Sequence, residues 1–213
     1  MAKDLQIIKE LEGKFGEFSY ELTSDKEVVE LGICDEGIET KDLKLIGELT
    51  SLEELCLNSN NITEIKGLEK LTSLDWLELE SNQISKIQGL DKLTELKYID
   101  LNCNNITKIQ GLNNLVNLEK LNLSYNDISI IQGLDGLTNL QVLKLDCNDI
   151  FTIQGLVKLA SLNWLTLESN QITEIKGLDN LANLQKLELY NNNIPKSQIK
   201  EFETRHTEIK VFY

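Results

Sequence analysis

The sequence predicts an α/β solenoid: a curved, right-handed superhelix of stacked coils, with a parallel β-sheet on its concave side and helical or 3₁₀ turns on its convex side. Three observations predict it. Asparagine recurs every 22 residues, at Asn60, Asn82, Asn104, Asn126, Asn148, Asn170 and Asn192. Each stands in one frame, Leu-x-x-Leu-x-Leu-x-x-Asn-x-Ile, as from Leu52 to Ile62. Glycine recurs at the same period, at Gly67, Gly89, Gly111, Gly133, Gly155 and Gly177. A fixed period of this length marks a repeat array, in which one unit buries its apolar face only against its neighbours.

The elements follow in chain order. Leu5, Ile8 and Leu11 share one face of a helix from Asp4 to Lys14, placing a helical N-terminal cap within 1–30. The first unit is irregular, because Leu31 and Ile33 precede Leu55 and Leu57 by 24 residues; Ile46, Leu49 and Leu52 complete it. Later units carry the pairs Leu77/Leu79, Ile99/Leu101, Leu121/Leu123, Leu143/Leu145, Leu165/Leu167 and Leu187/Leu189, which makes eight strands over 31–194. Alternation with period two sends these residues inward and their neighbours outward. Stacked identical units pair their strands in parallel, about 4.8 Å apart. The second half of each unit, as in Ile62, Ile65, Leu68, Leu71 and Leu74, continues the core at spacings that suit tight helical or 3₁₀ turns. The pattern breaks at Ile194-Pro195. A cap over 195–213 is expected to follow: a helix from Ser197 to His206 burying Ile199 and Phe202, then a strand from Glu208 to Tyr213 alternating Ile209, Val211 and Tyr213. Arrays need such caps, since an open end exposes apolar core and an unpaired strand edge. No separate second domain is expected.

The asparagine column has a physical reason. A chain turning sharply out of a strand leaves backbone groups unpaired inside the coil, and an amide carries both donor and acceptor to satisfy them. These seven asparagines are read as scaffold. Cys103 and Cys147 occupy the slot just before the asparagine, read as a half-buried place for a small residue; Tyr125 departs from that rule.

The frame resembles leucine-rich repeats of the 22-residue class, similar to SDS22-like proteins and to bacterial internalins; units such as Ile62-Thr63-Glu64-Ile65-Lys66-Gly67-Leu68-Glu69-Lys70-Leu71 carry the likeness. It covers about Leu52 to Ile194. The SDS22-like resemblance implies a regulatory subunit that holds the catalytic subunit of a type 1 protein phosphatase through acidic and aromatic concave residues, although the array is shorter than in that family. Trp76, Glu78, Asp100, Trp164, Glu168 and Tyr190 occupy that kind of position. The internalin resemblance implies a bacterial protein that binds host proteins by the same face.

Outward strand positions form columns in which the repeats differ. The first reads Glu30, Glu54, Trp76, Tyr98, Lys120, Val142, Trp164, Lys186; the second Gly32, Cys56, Glu78, Asp100, Asn122, Lys144, Thr166, Glu188; the third Cys34, Asn58, Glu80, Asn102, Ser124, Asp146, Glu168, Tyr190. Trp76, Tyr98, Trp164 and Tyr190 are candidate anchors for a partner, because buried aromatics dominate interface energetics. Cross-strand packing of Trp76 on Tyr98 is the alternative reading of that pair. Glu54, Glu78, Glu80, Asp100, Asp146 and Glu168 would steer a basic partner, or keep the face solvated. A block duplication accounts for part of the pattern, since Trp76 recurs as Trp164 and Leu79 to Ile84 recurs as Leu167 to Ile172, both shifted by 88 residues.

A net charge of −14 repels phosphate backbones and anionic membranes, so the expected partner is another protein with a basic patch, bound by a monomer, with no nucleic acid or membrane involved. The start, Met1-Ala2-Lys3-Asp4-Leu5, lacks the basic-then-apolar run of a secretory signal, which points to the cytoplasm, or to secretion where a leader has been removed. Cys34, Cys56, Cys103 and Cys147 form no tight disulfide framework and offer no CxxC motif, so reduced thiols without zinc are expected. The sole histidine, His206, lies in the expected C-terminal helix, away from every cysteine. Glu78 and Glu80 point to one side in the manner of a carboxylate pair, but an open wet face does not raise an acid's pKa. No enzyme activity, cofactor or metal is expected.

Overall fold

The computed structural model describes residues 3–213 as one sheet of ten strands, β1 to β10, neighbouring in chain order. The first two residues of the expected cap lie outside the described residues. Helix α1 (Lys3–Phe15) runs one residue past the expected end and buries Ile7, Ile8, Leu11 and Phe15; Leu5 is only half-buried. Asp4 Oδ2 accepts the Val28 N–H at 3.1 Å, and Lys14 pairs with the buried Asp42, so polar contacts as well as apolar ones pin the helix to the first coil.

The N-terminal region is not purely helical. Strand β1 (Ser19–Leu22) turns back through Thr23 and Glu27 and pairs antiparallel with β2 (Val28–Gly32), Ser19 opposite Gly32 and Tyr20 opposite Leu31. It covers the edge that β2 would otherwise present to other chains. A four-residue strand outside the repeat carries no periodic signal, which is why spacing alone misses it.

The repeat strands are three residues each: β3 (Glu54–Cys56), β4 (Trp76–Glu78), β5 (Tyr98–Asp100), β6 (Lys120–Asn122), β7 (Val142–Lys144), β8 (Trp164–Thr166) and β9 (Lys186–Glu188). They pair in parallel with no register slip; Leu55, Leu77, Ile99, Leu121, Leu143, Leu165 and Leu187 stand opposite one another in the core. Inter-coil bonding continues past the short strands, as from Leu57 N–H to Glu78 O at 2.9 Å and Ser59 N–H to Glu80 O at 2.8 Å. Helix α3 (Lys196–Arg205) buries Ile199 and Phe202. After it, β10 (Lys210–Phe212) adds to β9 with Val211 in the inward column and Phe212 in the outward one; Tyr213 is exposed.

On the convex side one helical turn, α2 (Leu43–Ile46), serves the irregular first coil. The 22-residue coils close instead with 3₁₀-type turns, from Leu71 N–H to Leu68 O at 3.0 Å and from Leu74 N–H to Leu71 O at 3.1 Å in the first of them. Gly89 shows why glycine keeps the period: its φ is +74°, and a Cβ there would lie 2.4 Å from Ile65 O in the preceding coil. The slot before each asparagine needs correcting. Ser59, Ser81, Cys103, Tyr125, Cys147, Ser169 and Asn191 all have φ between 52° and 57°, so the slot is a left-handed turn position. Side-chain size does not define it; Tyr125 fits because its ring projects into solvent.

That turn creates the carbonyls that the asparagines satisfy. Asn126 Nδ2 donates to Leu101 O in the preceding coil at 3.0 Å, and to Leu123 O and Ser124 O in its own at 3.2 and 3.1 Å. Its Oδ1 accepts the Ile106 N–H at 2.9 Å. The pattern repeats from Asn60 to Asn192, with Asn60 also accepting from Glu36 N–H at 3.2 Å. Among the described residues no helix is long and apolar enough to cross a membrane. Asn126→Ala leaves these buried groups without partners and is expected to lower unfolding free energy in urea by roughly 1–3 kcal/mol; an unchanged midpoint and slope would remove the ladder account.

Candidate functional site

The concave columns stand in the register that the spacing predicts, Glu54 beside Trp76 beside Tyr98 beside Lys120. Trp76 and Tyr98 stack with ring centroids 3.9 Å apart. The Trp76 Nε1–H donates to Glu78 Oε1 at 2.9 Å, and Glu78 Oε2 accepts from Asn58 Nδ2 at 2.8 Å. The Tyr98 hydroxyl donates to Asp100 Oδ2 at 2.9 Å. Burial first, and the Asp100 charge next, hold the Tyr98 phenol above its usual range, which keeps it a neutral donor. Trp164 lies apart from that pair, with Lys186 Nζ 4.0 Å from its ring centroid and Lys144 Nζ 5.5 Å away. Its Nε1–H donates to Glu188 Oε1 at 2.9 Å, and Lys186 pairs with the same oxygen at 2.7 Å. Tyr190 is exposed and leans on Phe212 at 6.5 Å.

The acids divide into two kinds. Asp100 is buried and accepts from Tyr98, from Asn122 Nδ2 at 3.0 Å and from the Asn102 N–H at 2.8 Å. Asp146 accepts from Thr166 Oγ1 at 2.6 Å, from Ser124 Oγ at 3.3 Å and from the Glu168 N–H at 2.8 Å. These two carboxylates tie neighbouring strands together and have little capacity left for a visitor. Glu80 accepts from Asn102 at 3.0 Å, and Glu168 from Asn191 at 3.5 Å. Glu54 is exposed; burial of its stem and then the charges of Glu30, Asp75, Glu21 and Glu53 hold its carboxyl above the usual range.

Between the stacked pair and Trp164 the sheet opens into a hollow of about 360 Å³, lined by Trp76, Tyr98, Leu121, Val142 and Trp164 and rimmed by Lys120 and Lys144. Neither lysine makes an ion pair among the described residues. Acids thus line the face over β2 to β5, lysines rim the central hollow, and two acids beyond it, Asp146 and Glu188, are tied to Thr166 and to Trp164 and Lys186 respectively. Attention to acids and aromatics alone passes over Lys120, Val142 and Lys144, although the column reading places all three outward. Near β1 a second hollow of about 330 Å³ is lined by Tyr20, Glu21, Glu30, Glu54, Cys56 and Trp76. Among the described residues no cluster of three or more His, Cys, Asp or Glu side chains could hold a metal ion.

Two family models match the repeat region: "Leucine rich repeat" over residues 26–84, and "Leucine Rich repeats (2 copies)" over 72–114 and 116–158. The chain is a leucine-rich repeat protein. No curated protein matches it. Among solved structures, an internalin (InlF) of Listeria monocytogenes superposes with a TM-score of 0.77 at 27% identity, over 98% of this chain and 62% of that one. Internalin C2 (InlC2) of the same organism gives 0.76 at 26% identity, over 99% of this chain and 92% of that one. A leucine-rich repeat protein of Leptospira interrogans gives 0.67 at 28% identity, over 80% of this chain and 51% of that one. This leucine-rich repeat chain thus spans less than two thirds of InlF and of the Leptospira protein, but nearly all of internalin C2.

A carboxyl whose folded pKa is raised is disfavoured in its charged form, so Glu54 opposes folding at neutral pH and ceases to do so as pH falls through its folded pKa. Glu54→Gln is expected to stabilise this leucine-rich repeat protein by about 0.5 kcal/mol at neutral pH, screening included, and to lose that advantage near pH 4. Urea titrations of both proteins at the two pH values check it; a destabilised variant at neutral pH would contradict the assignment.

Proposed function

We propose that this chain is a non-catalytic binding scaffold that engages a partner protein through its concave face, in the manner of an internalin-like protein. The central hollow carries the reading. Most concave polar groups are consumed by bonds to one another, whereas Trp76, Tyr98, Leu121, Val142 and Trp164 leave an apolar opening flanked by two lysines. Flat aromatic walls offer contact area at little entropic loss, and such residues anchor interfaces. Charge supplies orientation: a partner with basic side chains opposite Glu30, Glu54, Glu78 and Glu80 and an acidic group at the lysine-rimmed hollow is complementary to both regions.

The two internalin neighbours, one spanned almost end to end, support this reading. Extending it to host proteins, and to a location outside the producing cell, follows the same likeness. The second reading, a cytoplasmic SDS22-like phosphatase regulator, draws on the repeat frame and on the acidic half of the face. Glu54, Glu78, Glu80, Trp164, Glu168 and Tyr190 serve as contacts in both.

Affinity capture from candidate host and source lysates tests the site. Wild type is expected to retain a partner that a Trp76→Ala, Trp164→Ala variant of equal melting temperature holds about 30-fold more weakly, with affinity falling as salt rises. Equal capture by both proteins would remove the binding role from the concave tryptophans. Recovery of a phosphatase catalytic subunit would favour the second reading.

A further inference from the structure

Cys34 and Cys56 lie on adjacent coils with their Sγ atoms 3.0 Å apart. Cys56 is the outward residue at the end of β3, opposite Gly32, and Cys34 follows β2 by two residues. The backbone holds the two together: Ile33 N–H donates to Cys56 O at 2.9 Å, and Asp35 N–H to Asn58 O at 3.1 Å. Gly32 carries no side chain to separate the sulfurs. A disulfide needs about 2.05 Å between sulfurs, so side-chain rotation has to close about 1 Å. Cys103 and Cys147 are placed differently, in the left-handed turn position of coils two apart, with Tyr125 in that position of the coil between. The pair borders the hollow that Tyr20, Glu54, Cys56 and Trp76 line.

We propose that Cys34 and Cys56 are a modification site, forming an intramolecular disulfide by exchange with a small-molecule disulfide such as oxidised glutathione. Cys34, the exposed member, loses its proton to solvent, and its thiolate attacks one sulfur of the oxidant. The oxidant's S–S bond breaks, one half leaves as a thiolate that takes up a proton, and Cys34 carries a mixed disulfide. Cys56 then loses its proton and attacks the Cys34 sulfur; the Cys34–oxidant bond breaks and the second half leaves as a thiol. Two protein thiols are oxidised and one disulfide is reduced to two thiols. Burial, and then the neighbouring Cys34, push the Cys56 thiol up, in keeping with Cys34 acting first. The product clasps the first coil to the second and fixes the floor of the hollow beside β1.

Full-length protein is equilibrated with oxidised glutathione, alkylated, digested with trypsin and analysed by mass spectrometry. The expected product is a Cys34–Cys56 linked peptide, reversed by dithiothreitol, with Cys103 and Cys147 alkylated. Oxidised wild type should melt roughly 5 °C above the reduced form, and Cys34→Ser should show no such difference. In Cys56→Ser, the glutathione adduct should persist on Cys34. Alkylation of both Cys34 and Cys56, an unresolved adduct on wild type, or linkage through Cys103 or Cys147 would overturn the proposal.

Discussion

Each coil leaves its strand through one left-handed residue, and the carbonyls on either side of that turn then face an interior that water does not reach. The asparagine following each left-handed residue resolves the conflict. Its amide donates to carbonyls of its own coil and of the one before, while its oxygen takes an amide proton from that preceding coil. Because the bonds run between coils as well as within them, the ladder sets the stacking register. A one-residue slip would strand a buried donor or acceptor at every step and turn the inward leucines to solvent. The rest of the structure depends on this register: the parallel sheet, the leucine stack and the columns on the open face.

A second ladder, exposed to solvent, runs along the convex side. Asn117 Nδ2 donates to Thr94 O at 3.0 Å, Asn139 to Val116 O at 3.0 Å, Asn183 to Ala160 O at 2.7 Å, and Ser161 Oγ to Thr138 O at 2.8 Å. With polar bonds on both sides of the leucine core, adjacent coils are fixed at two separated points. The concave face is correspondingly a preset surface. Its carboxylates are largely tied to neighbouring strands, its tryptophan N–H groups are satisfied by Glu78 and Glu188, and what stays open is the hollow between Trp76 and Trp164. A partner would meet rigid aromatic walls, which limits the ordering entropy lost on binding.

Much of this was readable in advance because repetition amplifies weak signals. One Leu-x-Leu is uninformative, but seven such pairs at a constant spacing (one with Ile99 in the first place), each followed by asparagine and all but the last then by glycine, specify strand, turn and close approach together. The irregular elements were less legible for the same reason. Strand β1 occurs once, between a helix and a turn, and the Ser19-Tyr20-Glu21-Leu22 stretch has no repeated partner to reveal its pairing. The left-handed slot is hidden in the sequence, since Ser and Cys at most of its positions suggest a preference for small side chains and mask a backbone requirement that Tyr125 exposes. On the concave face, positions followed from spacing, but bonding did not. Asp100 and Asp146 look like Glu54 in the sequence, and only the neighbouring Asn122, Thr166 and Ser124 show that they serve the sheet. Lys120 and Lys144 gain meaning through Trp76 and Trp164, whose strands lie 88 residues apart in the chain.

Native-state hydrogen exchange tests the asparagine ladder most directly. The amide protons of Ile62, Ile84, Ile106, Ile128 and Ile150, which donate to asparagine oxygens rather than to any backbone carbonyl, should exchange as slowly as those of the β-sheet core. Exchange at the rate of exposed turn amides such as Thr138 would contradict the account, because side-chain oxygens would not then hold neighbouring coils in register.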